Sequence, residues 1–375
     1  MFSQALNLGG KELMGFREWL SRHKSEVLYV AKKVCIAFSI LLAIITLVFV
    51  LIKTLPGNPY QMYYYQLLMK GYPPEIAKSY AAHYAQQFYA MMASVGINVN
   101  ESVLLQYVGF LTHVLTLNFG YSFYYKQSVS QIIASALPWT LLTVGTGLVL
   151  QFLIGVGIGM VLAYKRGSKV DSVATLAFMA WRAIPDYVIG LVILYVVLVY
   201  VYGGNAVEVM GVMSPSTKLL LETKGLTLST LGPVVIDILR HAAWPILVYT
   251  IVGFAGWALA MRSTAINVLG EDYVTVAEAR GLPDRKVATR YVGRNAILPL
   301  FTSLMISLGY AFGGSMFIEW LFNYRGIGYW MADAIWMRDY LVLSGCLLVE
   351  TMAVVASVYL AEVLYGLIDP RVRGE

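Results

Sequence analysis

Six apolar runs punctuate the chain, at residues 34–52, 139–164, 171–202, 245–266, 298–322 and 341–368. A helix needs about 20 predominantly apolar residues to cross a hydrocarbon core. In a soluble helix apolar and polar positions alternate with a 3.6-residue period, whereas here the polar residues collect between the runs. The pattern predicts an all-α polytopic membrane protein with six transmembrane helices. The first run follows a 33-residue polar head and leads into Lys53-Thr54-Leu55-Pro56-Gly57 with no small-residue cleavage site, so it reads as a retained anchor.

The stretch between the first two runs, 53–138, is rich in Tyr and broken by Pro56, Pro59, Pro73 and Pro74. Within it, 75–93 and 101–117 carry helical spacing. A small external helical segment is expected, either a passive cap or a surface that meets solute or a partner. The run 139–368 is then a five-helix core, with a loop at 267–297 between its third and fourth helices.

Charge orients the spans. Only 13% of the 375 residues are charged and 59% are apolar, against about 25% charged in a soluble domain. With the N-terminus inside, the cytoplasmic pieces are 1–33, 165–170, 262–297 and 369–375, and they hold 17 Lys and Arg in 82 residues. The external pieces hold 9 in 146 residues. This asymmetry follows the positive-inside rule and places both termini in the cytoplasm of a multi-pass protein of the cell membrane, with membrane lipid around it. The basic residues form no single dense patch, which argues against nucleic acid as a partner. Cys35 and Cys346 both sit in apolar runs and suit small buried side chains better than a disulfide or metal site.

Motifs for catalysis are missing. No Gly-x4-Gly-Lys-Ser/Thr loop occurs, nor His-Glu-x-x-His. Gly155-Val-Gly157-Ile-Gly159 lies in mid-span, where glycine serves close helix packing. The chain reads as a non-enzyme with no cofactor of its own. Arg182 and Asp186 stand four residues apart in the third run, on one face if the helix is continuous, with Arg182 roughly 16 Å from the inner end. Such charges line a pathway or neutralise each other. The first option also allows a second class of function, a secondary transporter or channel. Glu319, in the fifth run, is a further pathway candidate or a hydrogen-bonded structural acid.

The loop 267–297 carries most information. Residues 272–280 have helix-forming composition, Gly281 stands where a helix stop is expected, and Pro283-Asp284 reads as a new start. Ala277, Ala279 and Gly281 are small enough to press into a groove on another protein, and Tyr273, Val276 and Leu282 supply apolar anchors. The same residues also suit an ordinary amphipathic connector. If they contact a partner, Gly281→Arg and Ala277→Glu should uncouple it.

Asp272-Tyr273, Ala277-Glu278-Ala279-Arg280-Gly281-Leu282 and Arg294-Asn295-Ala296-Ile297-Leu298-Pro299 together resemble the cytoplasmic EAA loop of permeases in binding-protein-dependent ABC importers, in the dipeptide/oligopeptide/nickel branch. Collinear pieces extend the resemblance over about 34–373: Leu55-Pro56-Gly57-Asn58-Pro59, Leu117-Asn118-Phe119-Gly120-Tyr121-Ser122, Leu137-Pro138-Trp139-Thr140, Arg338-Asp339-Tyr340 and Ile368-Asp369-Pro370-Arg371. Thr275 replaces the usual Glu six residues before the Gly, and 1–33 has no counterpart. The resemblance implies a type I importer architecture, a second homologous permease subunit, two cytoplasmic ATPase subunits that bind ATP and Mg, and an external solute-binding protein. It also implies that Tyr273, Val276, Ala277, Ala279, Gly281, Leu282 and Pro283 couple to the ATPase. Peptides or oligosaccharides are the implied cargo; nickel fits least, because nothing in the chain reads as a metal site.

Overall fold

The computed structural model describes residues 24–54, 58–122 and 124–368. Residues 1–23 of the N-terminal segment, Leu55-Pro56-Gly57 of the post-anchor motif and the C-terminal 369–375 lie outside the described residues. Helix α1 is Lys24–Thr54. The following segment contains α2 (Pro59–Met69), α3 (Pro74–Ala93) and α4 (Val103–Leu115); α3 and α4 fall close to the two helices expected from its spacing, and α2 is an additional one. Helix α5 spans Val129–Tyr164 and widens into a π turn over Leu141–Gly145, just after Pro138.

The third apolar run is not one span. It forms α6 (Lys169–Arg182) and α7 (Asp186–Val201), bent by 93° at the break. Pro185 explains the bend. Its ring clashes with the carbonyl four residues back, and it biases Ile184 away from helical geometry. Arg182 therefore ends one helix while Asp186 begins the next. The two charges do not share a face, and no ion pair joins them among the described residues.

Helix α8 (Pro215–Lys224) precedes α9, which runs from Leu228 to Leu269, 42 residues, and so starts well before the expected 245. Thr227 and Thr230 form a capping box at its start. Short α10 (Asp272–Ala279) leads to α11 (Asp284–Gly313), whose first turns include a π segment at Val287–Gly293. Helix α11 ends at Gly313, nine residues before the expected 322, and is followed by Gly314 with φ +71°. Two shorter helices, α12 (Met316–Leu321) and α13 (Ile327–Met337), come next, followed by α14 (Tyr340–Ile368). Among the described residues five helices are long and apolar enough to span a membrane, or six if the bent α6–α7 pair is one span.

Helices α5 and α9 run parallel and in close contact. A Cβ on Gly155 would lie 2.6 Å from the Phe254 carbonyl oxygen, and one on Gly159 only 2.3 Å from that of Ala258. One on Gly147 would lie 2.5 Å from the Tyr249 Cβ. Without side chains at these points the two backbones approach closely, which is how helices gain dispersion contact where lipid offers no hydrophobic drive. Gly157, on another face of α5, meets nothing within 4 Å.

At the end away from α10, one apolar core joins α1, α3, α4, the start of α5, α13 and α14, through residues such as Phe49, Phe110, Ile132 and Leu341. Asp339, 2% exposed, accepts hydrogen bonds from Ser122 Oγ (2.5 Å) and the Tyr124 amide (3.2 Å). The Tyr125 hydroxyl donates to Asp333. Burial, followed by that bond, raises the Tyr125 pKa well above the usual phenol range, so the hydroxyl stays a donor at physiological pH.

Gly155→Val and Gly159→Val should each cost about 1–3 kcal/mol through overpacking, whereas Gly157→Val should be nearly neutral. Thermal denaturation of the purified protein in detergent measures the difference.

Candidate functional site

Helix α10 is closed by a Schellman motif. The Gly281 amide bonds the Glu278 carbonyl at 2.8 Å, and the Leu282 amide reaches the Ala277 carbonyl at 3.4 Å. Gly281 has φ +70°, and a Cβ there would meet nothing within 4 Å. Its conformation, more than its size, accounts for the glycine. Pro283 then starts α11, so helix, sharp turn and returning helix occur where the sequence indicates them.

The two faces of α10 differ. Val274 and Ala277, 1% and 2% exposed, pack with Val287, Val292 and Ala296 in the core shared by α5, α9 and α11. Ala277, expected among the partner contacts, is thus committed to the chain's own interior. Leu282 is half-buried against the same core. Tyr273 and Val276 are 40% and 55% exposed, and Ala279, Gly281 and Pro283 are also exposed. The Tyr273 hydroxyl accepts from Asn295 Nδ2 at 2.7 Å, which pins α10 to the foot of α11.

Farther along the same helices, α5, the end of α6, α9 and α11 surround a cavity of about 710 Å³. Its polar lining consists of Gln151, Arg182, Ser263, Thr264, Ser303 and Ser307. Arg182 therefore faces a cavity and not Asp186, whose Oδ1 accepts from the Tyr187 amide at 2.9 Å. Glu319 does not reach this wall. It is fully buried, accepts from Thr140 Oγ1 (2.9 Å) and the Tyr329 amide (3.1 Å), and joins α5, α12 and α13. In this conformation it is a structural acid, because every face of its carboxylate is covered by its own chain.

Two features were not anticipated from sequence. Arg262 Nε and Nη2 bind Asp171 Oδ1 and Oδ2 at 2.5 and 2.7 Å, and Asp171 also accepts from the Gly167 amide at 3.0 Å. This fork ties the start of α6 to α9 near the α10 end. Gln151, Ser303 and Ser307 were also passed over, although polar residues inside apolar runs are the available signal.

Comparison with known proteins adds three findings. Residues 155–374 match the model of the family described as "Binding-protein-dependent transport system inner membrane component". A Brucella suis protein whose name assigns it, provisionally, to the peptide permeases is 31% identical over 349 residues, 92% of this chain and 98% of that protein. The oligopeptide transport system permease protein AppB of Bacillus subtilis is 27% identical over 348 residues, 92% and 99% of the two chains. The glutathione transport system permease protein GsiC of Salmonella typhimurium is 27% identical over 345 residues, 92% and 98%.

Ala277→Glu should collapse the inner face of α10, since it forces an unpaired carboxylate into an apolar site at a cost of several kcal/mol, about 3 or more. Val276→Asp, on the exposed face, should leave the loop folded. Limited trypsin digestion at the exposed Arg280 and Arg285 should accelerate for the first variant only.

Proposed function

The chain belongs to the family of binding-protein-dependent transport system inner membrane components, and from that premise we propose that it forms half of the translocation pathway of an ATP-driven peptide importer. In this reading α10 is the element that a separate ATPase subunit engages. Two such subunits hold ATP and Mg, a second homologous permease supplies the other half of the pathway, and an external protein delivers solute. The peptide assignment draws on the names of the relatives; an oligosaccharide is the less supported cargo.

The observation that carries the proposal is the division of α10 into two faces. One face, Val274 and Ala277, is locked into the core that also holds the feet of α5, α9 and α11. The other presents Tyr273, Val276 and Ala279. A rigid helix held on one side and open on the other can pass a displacement to the spans without absorbing it. The surplus of Lys and Arg around this loop supports a cytoplasmic position, on the side where ATP is available. Alternating access would then open the cavity lined by Arg182 to one side of the membrane at a time. The competing secondary-transporter reading has Arg182 and Asp186 couple ions to solute; Arg182 borders the cavity, whereas Asp186 starts α7 beyond the bend and is absent from the lining.

Vesicles holding the assembled complex should take up peptide only with ATP inside the nucleotide-facing compartment. Val276→Asp and Ala279→Glu, both on the exposed face, should each lower that uptake about tenfold, the effect of spoiling one interface position, while membrane insertion and thermal stability stay unchanged. ATP-independent uptake, or full activity in both variants, would refute the proposal.

A further inference from the structure

We propose that the cavity between α5, α6, α9 and α11 is an anion-favouring stretch of the pathway, and that Arg182 receives the carboxylate of the passing solute. The inference rests on the reading of this chain as half a translocation pathway, and it adds the chemical character of that half.

The geometry is built around two glycines of α9. A Cβ on Gly253 would fall 1.0 Å from Gln151 Oε1, so the Gln151 amide occupies the space a side chain would need. A Cβ on Gly256 would come within 3.6 Å of Arg182 Nε. Three residues apart on one helix face, Gly253 and Gly256 thus give room to the polar head of one residue from α5 and one from α6. Both heads lie along the α9 backbone and border the cavity.

The charge balance is one-sided. Arginine remains protonated at any physiological pH, and a cation at this depth is costly without a partner or water. No hydrogen bond or ion pair holds either Arg182 or Gln151 among the described residues. Among the described residues no acid lines the cavity. Asp186, the nearest acid in sequence, starts α7 beyond the bend and is bonded to its neighbour's amide. Of the remaining polar lining, Ser263 on α9 and Ser307 on α11 hold no hydrogen bond among the described residues and offer hydroxyl donors, whereas Ser303 and Thr264 donate to the Pro299 and Ala260 carbonyls. A guanidinium with two free hydroxyls and an amide suits a carboxylate, which accepts only and takes two donors side by side. Every peptide with a free C-terminus carries that group. The bend at Pro185 is what delivers Arg182 here, because it ends α6 at this level and leaves the side chain at the helix tip.

The test uses the assembled complex in membrane vesicles, with Cys35 and Cys346 replaced by Ser and a single reporter, Ser307→Cys. The rate of modification by an anionic sulfonate methanethiosulfonate is compared with that by a trimethylammonium one. The anionic reagent should react faster, relative to its rate with a free thiol, by about fivefold, the effect expected of one nearby charge in a hydrated cavity. Arg182→Gln should abolish the preference and Arg182→Lys should retain it. Equal relative rates with Arg182 present, a preference that persists in Arg182→Gln, or no modification by either reagent would overturn the proposal. ATP-driven uptake is measured on the same vesicles. Its absence would count against the importer reading and leave the reagent preference standing, whereas uptake without the preference would remove this inference alone.

Discussion

The parallel contact of α5 with α9 is the constraint on which the remaining structure depends. Where Gly147, Gly155 and Gly159 meet Tyr249, Phe254, Trp257 and Ala258, the helices approach almost backbone to backbone. That proximity brings the Gln151 amide over Gly253, sets one wall of the cavity and holds the ends of both helices at the α10 side. The Asp171–Arg262 fork adds α6 to the pair.

The contact between α10 and the spans is as selective as the contact inside the bundle. Only two side chains of α10, Val274 and Ala277, are fully buried, and they meet the π segment at the foot of α11. A π turn holds one extra residue per turn and is common at functional positions. Here it lies directly between the loop helix and the cavity wall formed by Ser303 and Ser307, on the shortest covalent route from one to the other.

Much of this was legible in the sequence, for reasons that differ by element. Unbroken apolar runs revealed α1 and α14 because length alone decides a span. Gly281 followed by Pro283 revealed the turn after α10, because glycine admits the positive φ that closes one helix and proline, with its φ fixed, starts the next. The bend at Pro185 was visible as a residue but not as a direction, since apolar composition continues through it. The early start of α9 was hidden by Asp237, Arg240 and His241, which look like loop residues. In the fold Asp237 accepts from the Ser214 amide and His241 bridges to the Val207 carbonyl, so the polar groups are satisfied inside a helix. The inward turn of Ala277 was likewise out of reach, because an eight-residue helix with Val274, Val276 and Ala277 has two apolar directions and sequence does not choose between them.

The clasp of Ser122 and Tyr124 on Asp339 has a mechanical meaning. Asp339 immediately precedes the last helix, and the chain that grips it also packs on the first helix through one continuous apolar core. The tyrosine-bearing lobe is therefore a handle fastened to α14 and not a lid that swings on its own. A displacement of the stretch that carries Ser122 and Tyr124 is thereby passed to the start of the final helix.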